Sequence, residues 1–67
     1  MMNKLRAKIA ERGLSVSEFR EKAELSSDTW YRRARKGVMS FSVAEIRRIA
    51  SALDLTAAEC AEIFFNW

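Results

Sequence analysis

Four helix starts are encoded in this chain, and they constrain its fold more than any other feature. Ser15, Ser42 and Thr56 are each followed three residues later by a glutamate, which is the spacing of a capping box. Ser26 begins a weaker version, with Thr29 at the third position. An apolar residue before each cap and another four residues after it have the spacing of a hydrophobic staple. The staple pairs are Leu14/Phe19, Leu25/Trp30, Phe41/Ile46 and Leu55/Cys60.

A further helix precedes these starts, because Met2, Leu5 and Ile9 recur at helical spacing and Gly13 follows as a left-handed stop. The five predicted helices are about 2–12, 16–23, 27–36, 43–53 and 57–65, and Gly37 ends the third. The chain has no proline and two glycines, fewer turn residues than a fold of strands and hairpins needs. We therefore expect an all-α, compact five-helix domain that spans residues 1–67 as a single unit. The predicted core is Leu5, Ile9, Leu14, Phe19, Ala23, Leu25, Trp30, Ala34, Phe41, Ile46, Ile49, Ala50, Leu53, Leu55, Ile63 and Phe64.

Several classes of function lack the residues that they need. The chain has no histidine and a single cysteine, Cys60, and it has no glycine-rich phosphate loop. Cys60 occupies a staple position, which favours a core role over a nucleophilic one. We expect no catalytic residue, no metal site, no cofactor and no small-molecule ligand. Because no apolar run reaches the length of a membrane span, we expect a cytoplasmic protein.

The second and third predicted helices are separated by only about three residues, which is typical of a helix-turn-helix unit. In such a unit the second helix enters the major groove of DNA. At 100° per residue, Trp30 and Ala34 share one face of the third helix. The opposite face carries Asp28, Arg32 and Arg35, a polar and basic surface suited to reading bases. The same face is also compatible with an ordinary solvated helix in which Asp28 and Arg32 pair.

Charge is distributed unevenly along the chain, although the formal net charge is only +3. Between residues 32 and 48 there are six basic residues and one acid, and from residue 54 onward there are three acids and no base. This asymmetry indicates a side that faces a polyanion, or else ordinary solvated helix faces.

A wider pattern resembles the Cro/repressor-type (XRE-like) helix-turn-helix family, and most closely the short regulators of bacterial phages and prophages. The pattern comprises residues 13–19 (GLSVSEF), 28–33 (DTWYRR), 36–37 (KG), 41–42 (FS) and 62–65 (EIFF). The resemblance covers nearly the whole chain and implies a repressor-like fold and a place in a bacterial cell or a phage-infected host. Two positions depart from the family: Arg20 replaces a small residue, and Glu24 replaces the usual glycine of the turn. These two residues are four apart and are spaced to form an ion pair.

The resemblance also implies which residues contact DNA. Base contacts would fall on Ser27, Asp28, Tyr31 and Arg32, to which the helical face adds Arg35. Phosphate contacts would come from Tyr31, from Lys36 and from two helix starts, where free N–H groups point outward. The residues at these starts are Ser15, Val16, Ser17, Ser40 and Ser42.

The C-terminal aromatic residues do not fit on one helix face. Phe64 and Trp67 are three residues apart, whereas Phe65 points elsewhere. We take Phe64, Phe65 and Trp67 as candidate contacts of a homodimer, which would place two recognition helices about 34 Å apart along DNA. The alternative is that Trp67 folds back over the core or frays.

The leading prediction is a sequence-specific regulator of transcription, a repressor of the Cro type that binds a double-stranded DNA operator. A second hypothesis keeps the DNA but makes the protein an accessory or architectural factor in recombination. A third uses the helix-turn-helix for binding another protein, since a fold does not compel a function. The sequence alone leaves these three open.

Overall fold

The structure is a computed structural model that describes residues 2–65, and all regular secondary structure in that range is helical. In chain order the helices are α1 (Asn3–Glu11), α2 (Val16–Ala23), α3 (Ser27–Lys36), α4 (Val43–Leu53) and α5 (Ala57–Phe64). The predicted all-α fold of five helices is therefore confirmed. Helices α2, α3 and α4 have the predicted bounds, whereas α1 and α5 are shorter than predicted. A 3₁₀ turn, Val38–Ser40, joins α3 to α4 and was not predicted.

The predicted helix starts are confirmed in atomic detail. Ser15, Ser42 and Thr56 each accept a hydrogen bond from the third backbone N–H of their helix, and in each case the glutamate at that position accepts one from the N–H of the cap. Ser26 caps α3 by accepting from the Thr29 N–H at 3.1 Å. These bonds satisfy N–H groups that have no partner within a helix.

Three helices end in the same way, with one residue in a left-handed conformation followed by a leucine. The leucine N–H donates to the carbonyl five residues earlier, which closes the last turn. Gly13 acts as the predicted stop of α1. Charged residues take the same left-handed conformation at the ends of α2 and α4. The three pairs are Gly13-Leu14, Glu24-Leu25 and Asp54-Leu55, with φ of 75°, 57° and 52° at the left-handed residues.

The core is built around a row of aromatic side chains from α2, α3, the connection before α4, and α5. Trp30 is 1% exposed and packs edge-on against Phe19 of α2, with ring centroids 5.5 Å apart. Phe41 follows at 6.3 Å from Trp30, and Phe64 of α5 lies 6.2 Å from Phe41. Most of the predicted core is buried, but some members lie at its edge and are only partly buried. These are Leu14, Ala34, Ile46, Ala50 and Leu55.

The chain is as compact as a small globular domain should be, with a radius of gyration of 10.6 Å against about 11 Å expected for its length. Polar bonds tie α1 to the far end of the chain. The Lys8 ammonium lies 2.9 Å from the Glu59 carboxylate of α5, and the Arg12 guanidinium donates to the Leu53 carbonyl at 2.8 Å. None of the described helices has the length and apolar character needed to cross a membrane.

Candidate nucleic-acid interface

Helices α2 and α3 form a helix-turn-helix whose inner surface is fixed by packing. The connection, residues 24–26, is made of the left-handed Glu24, the buried Leu25 and the cap Ser26. Trp30 anchors the inner face of α3 in the core, and Ala34 lies one turn further along at the core edge. This packing decides which face of α3 is buried, so the opposite face points away from the protein.

The outer face carries Asp28, Arg32 and Arg35, while Tyr31 lies on its flank and Ser27 lies at the exposed start of the helix. All five residues predicted to read bases are exposed, and Tyr31 has 63% of its surface accessible.

The ion pair considered between Asp28 and Arg32 does not form in the described part of the chain. Arg32 instead approaches the Thr29 hydroxyl at 3.5 Å, the outer limit of a hydrogen bond. Since Thr29 already accepts from the Ser26 hydroxyl at 3.0 Å, this contact holds Arg32 only weakly. The guanidinium therefore keeps its donors available for an acceptor outside the protein.

Arg33 has a different environment from Arg32, its neighbour in the sequence. Its Nε lies 3.1 Å from Oε1 of Glu45, and its Nη2 lies 3.2 Å from Oε2, so the two groups form a bidentate pair. Glu45 is 8% exposed. Burial by itself raises the pKa of Glu45, but hydrogen bonds from Arg33 and from the Ser42 N–H outweigh that effect and hold the pKa below its ordinary value. The pair joins α3 to the start of α4.

A second polar bond joins α4 to α2. The Nε of Arg48 donates to the carbonyl of Ala23, the last residue of α2, at 3.0 Å. Glu45 and Arg48 are three residues apart on α4, and we call them the α4 clamp. Through the α4 clamp, both helices of the helix-turn-helix, α2 and α3, are bonded to α4, which is not part of that motif. Sequence reasoning missed this role, since it counted Arg33 and Arg48 among the cations that would face a polyanion.

The turn between α2 and α3 tolerates the two departures from the resembled family. Glu24 adopts φ 57° and ψ 41°, the left-handed conformation for which a glycine is usually chosen. Arg20 is partly buried on α2, and its carbonyl accepts the Leu25 N–H at 2.9 Å. Within residues 2–65 the structure shows no ion pair between Arg20 and Glu24. The short turn is thus formed by backbone bonds and by the burial of Leu25.

Residues 4–64 match the model of the Cro/C1-type HTH DNA-binding domain. The chain belongs to this family. The match runs from the first turn of α1 to the end of α5, and it confirms the resemblance to Cro/repressor-type proteins. Searches of curated proteins and of solved structures give no significant match. The Cro/C1-type domain is a DNA-binding domain rather than a catalytic one.

The start of α2, where a Cro/C1-type domain is expected to meet phosphate, presents exposed Ser15 and Ser17 and a partly buried Val16. The Ser15 hydroxyl is engaged as a cap, 3.1 Å from the Glu18 N–H. The backbone N–H of Ser15, followed by its hydroxyl, lowers the pKa of Glu18. A negative carboxylate therefore stands at this helix start and opposes an incoming phosphate.

The connection between α3 and α4 carries the remaining predicted phosphate contacts. Lys36 is exposed at the end of α3. The Ser40 hydroxyl lies 2.7 Å from the Gly37 carbonyl and 3.3 Å from that of Arg33, so it helps to terminate α3. Ser42 caps α4, where the charge of Glu45 is compensated by Arg33. This helix start is therefore electrostatically more favourable to phosphate than that of α2.

The C-terminal aromatic residues have separate environments. Phe64 is 2% exposed and belongs to the core, as the core prediction stated, so it does not offer surface to a partner. Phe65 has 52% of its surface exposed and lies 6.4 Å from Phe64, measured between ring centroids. Trp67, the third candidate contact, lies outside the described residues.

Proposed function

We propose that this protein is a sequence-specific regulator of transcription, a repressor of the Cro type that inserts α3 into the major groove of a double-stranded DNA operator. One observation carries the proposal: in a Cro/C1-type domain, the outer face of α3 is exposed and basic while Trp30 fixes the inner face in the core. A rigid, cationic helix of ten residues has the width and charge that the groove accepts.

The base-reading roles follow from donor and acceptor chemistry. Arg32 and Arg35 are assigned to guanine, because a guanidinium donates two parallel hydrogen bonds to O6 and N7. Asp28, at the start of α3, is assigned to the amino group of cytosine, since a carboxylate only accepts. Ser27 and Tyr31 complete the surface, and the Tyr31 ring is suited to contact the thymine methyl group or the sugar-phosphate backbone beside it.

Phosphate contacts position the domain and are independent of sequence. We assign them to Lys36 and to two helix starts, with the start of α4 favoured by its charge balance. Because the backbone N–H groups of Ser15, Ser40 and Ser42 are bonded within the protein, the N–H groups of Val16 and Ser17 and the serine hydroxyls are the donors assigned to phosphate. The residues at these starts are Ser15, Val16, Ser17, Ser40 and Ser42. Each cation that contacts a phosphate contributes about one unit to the salt dependence of binding.

A second copy of the chain would complete the reading of a two-fold-related operator. Phe65 and Trp67 are assigned to that contact, with Phe64 supporting them from the core. Half-sites would then be about 34 Å apart, one turn of DNA. We also assign the protein to the short phage and prophage regulators, and we place it in the cytoplasm.

Selection of bound sequences from a random DNA library tests the proposal. We expect one enriched motif, arranged as two related half-sites about 10 base pairs apart, with affinity that falls steeply as salt rises. Recovery of no motif, with equal binding to all sequences at low salt, would contradict base reading. Failure to bind DNA at all would overturn the function.

A further inference from the structure

We propose that Glu45 is a positioning residue for DNA reading: its bidentate bond to Arg33 sets the rotation of α3 and thereby the discrimination between DNA sequences. This inference rests on the proposed function, because it concerns how the same helix is aimed. Neither residue is assigned a contact with DNA, so their effect on discrimination would be exerted through Arg32 and its neighbours.

The geometry of the pair fixes direction as well as distance. Two nearly equal bonds, 3.1 Å and 3.2 Å, hold the planar guanidinium of Arg33 against both oxygens of Glu45. A single bond would allow the groups to swivel, whereas a fork does not. Arg33 directly precedes Ala34 of the inner face and directly follows Arg32 of the outer face. Any rotation of α3 that breaks the fork therefore displaces Arg32 by the same angle.

A small rotation is enough to matter for reading bases. At a radius of about 6 Å, a helix rotation of about 20° moves a side-chain atom by about 2 Å. A hydrogen bond to a base edge is lost over such a displacement. Contacts with phosphates suffer less, because flexible cations follow a charged oxygen over a similar distance. Loosening the fork at constant charge is thus expected to reduce discrimination while leaving general DNA affinity nearly unchanged.

Glu45 is itself held in place, so it can serve as a reference point. Its Oε1 accepts the Ser42 N–H at 2.8 Å, and its own N–H donates to the Ser42 hydroxyl at 3.1 Å. The carboxylate is therefore fixed to the start of α4, and α4 is fixed to α2 by packing and by Arg48. The α4 clamp consequently gives α2 and α3 one common frame.

The chain supplies a matched control in Glu59. Glu45 and Glu59 occupy the same position of a capping box, and each accepts a charged hydrogen bond from another helix. Glu59, however, bonds to Lys8 of α1 and lies 3.6 Å from the Arg12 guanidinium, and within residues 2–65 it shows no hydrogen bond or ion pair with α3. Glu45→Gln and Glu59→Gln therefore remove equivalent groups, one that touches the recognition helix and one that does not.

The test measures affinity of each variant for the best sequence selected by the parent protein and for random DNA. We expect Glu45→Gln to lower the ratio of the two affinities by about tenfold, the value of one good base contact; its binding to random DNA should rise, because the charge of Arg33 is then no longer compensated beside the start of α4. Glu59→Gln should leave the ratio within about twofold. Arg33→Lys, which keeps the charge but loses the fork, should lower the ratio to a similar extent while its binding to random DNA stays within about twofold. Equal ratios for Glu45→Gln and the parent, or equal losses in both glutamine variants, would overturn the proposal.

A second measurement requires no DNA and separates this inference from the proposed function. Residual dipolar couplings of backbone N–H bonds report the orientation of α3 relative to α4 in solution. We expect that orientation to change in Glu45→Gln and in Arg33→Lys, but not in Glu59→Gln. An unchanged orientation in both of the first two variants contradicts the positioning role even if the parent binds no DNA. If Glu45→Gln does not fold, Arg33→Lys decides the question.

Discussion

Glu24 and Asp54 end α2 and α4 in the same left-handed backbone conformation, with φ of 57° and 52°. A residue with a side chain is strained there by about 1–2 kcal/mol, and glycine is not. Gly13 ends α1 at φ 75° and shows that the chain uses glycine at one of the three equivalent positions. The helix-turn-helix therefore contains a removable source of strain at its turn.

Glu24→Gly should stabilise the protein by about 1 kcal/mol, because it relieves the left-handed strain while the Leu25 N–H bond stays in place. Urea-induced unfolding, followed by circular dichroism, measures the change. The control is Glu21→Gly, one turn earlier on the exposed face of α2. That variant should lose about 1 kcal/mol, because glycine is a poor residue inside a helix. Destabilisation by Glu24→Gly would show that its side chain contributes more than the strain costs.

Gly13→Ala tests the same conformation from the opposite direction. An added Cβ at Gly13 has no atom within 4 Å, so the substitution meets no steric obstacle beyond the backbone itself. We expect a loss of about 1 kcal/mol from strain alone, measured by thermal unfolding. An unchanged melting temperature would mean that the end of α1 rearranges at no cost, and that the left-handed geometry shared by the three helix ends does not constrain them.

Arg32→Ala should lower discrimination between the selected operator and random DNA by about tenfold or more, because a guanidinium bonded to guanine is lost. Lys36→Ala should instead weaken binding to all sequences alike and reduce the salt slope by about one. Gel-shift titrations at several salt concentrations measure both effects. Equal binding of Arg32→Ala and the parent on both kinds of DNA would count against base reading by Arg32.

The starts of the helices could be predicted from the sequence because a capping box is local. Ser15 and Glu18 are three residues apart, and their bonds depend on no other part of the chain. The ends of the helices were harder to predict, since glutamate and aspartate adopt a left-handed conformation much less often than glycine does. What the three ends share in the sequence is position: each left-handed residue precedes a leucine and then a serine or threonine cap.

The α4 clamp could not be predicted, because its partners are far apart in the sequence. Arg33 and Glu45 are separated by 12 residues, and Arg48 and the Ala23 carbonyl by 25. Whether such groups meet depends on how α4 is placed, which no local pattern specifies. Consequently, the count of six cations between residues 32 and 48 overstated the number of side chains available to contact DNA. Arg33 and Arg48 are engaged within the protein.

The bond between Lys8 and Glu59 predicts a specific pH dependence. The Thr56 N–H and then Lys8 lower the pKa of Glu59 from 4.5 to about 2. Since the folded state binds this proton less readily than the unfolded one, the stabilisation is present above about pH 4.5. It is lost as the pH falls toward 2. Lys8→Met should raise the pKa of Glu59 part of the way and flatten this loss, as carboxyl NMR titration and acid unfolding would show.

Lys4→Met is the control for the Lys8 experiment, because it removes the same charge from an exposed position of α1. It should leave the pKa of Glu59 nearly where it is. A pKa of Glu59 that is unaffected by Lys8→Met would mean that the Thr56 N–H and Arg12 determine it without Lys8. An equal shift in both variants would mean that the general charge of α1 acts, rather than the 2.9 Å contact.

Phe65→Ser tests the assignment of the C-terminal segment to a homodimer. Phe65 is 52% exposed, so its removal should cost the monomer no more than about 1 kcal/mol. If a second copy packs there, the variant should bind a single half-site as the parent does but lose cooperative binding to the paired site. Val43→Ser is the control, because Val43 is 73% exposed, is not assigned to the homodimer contact, and keeps its backbone N–H at the start of α4 when its side chain is changed. Sedimentation on DNA with one and with two half-sites distinguishes the cases. Cooperativity that survives Phe65→Ser would remove this residue from the interface, whereas equal losses in both serine variants would point to a general effect on the fold.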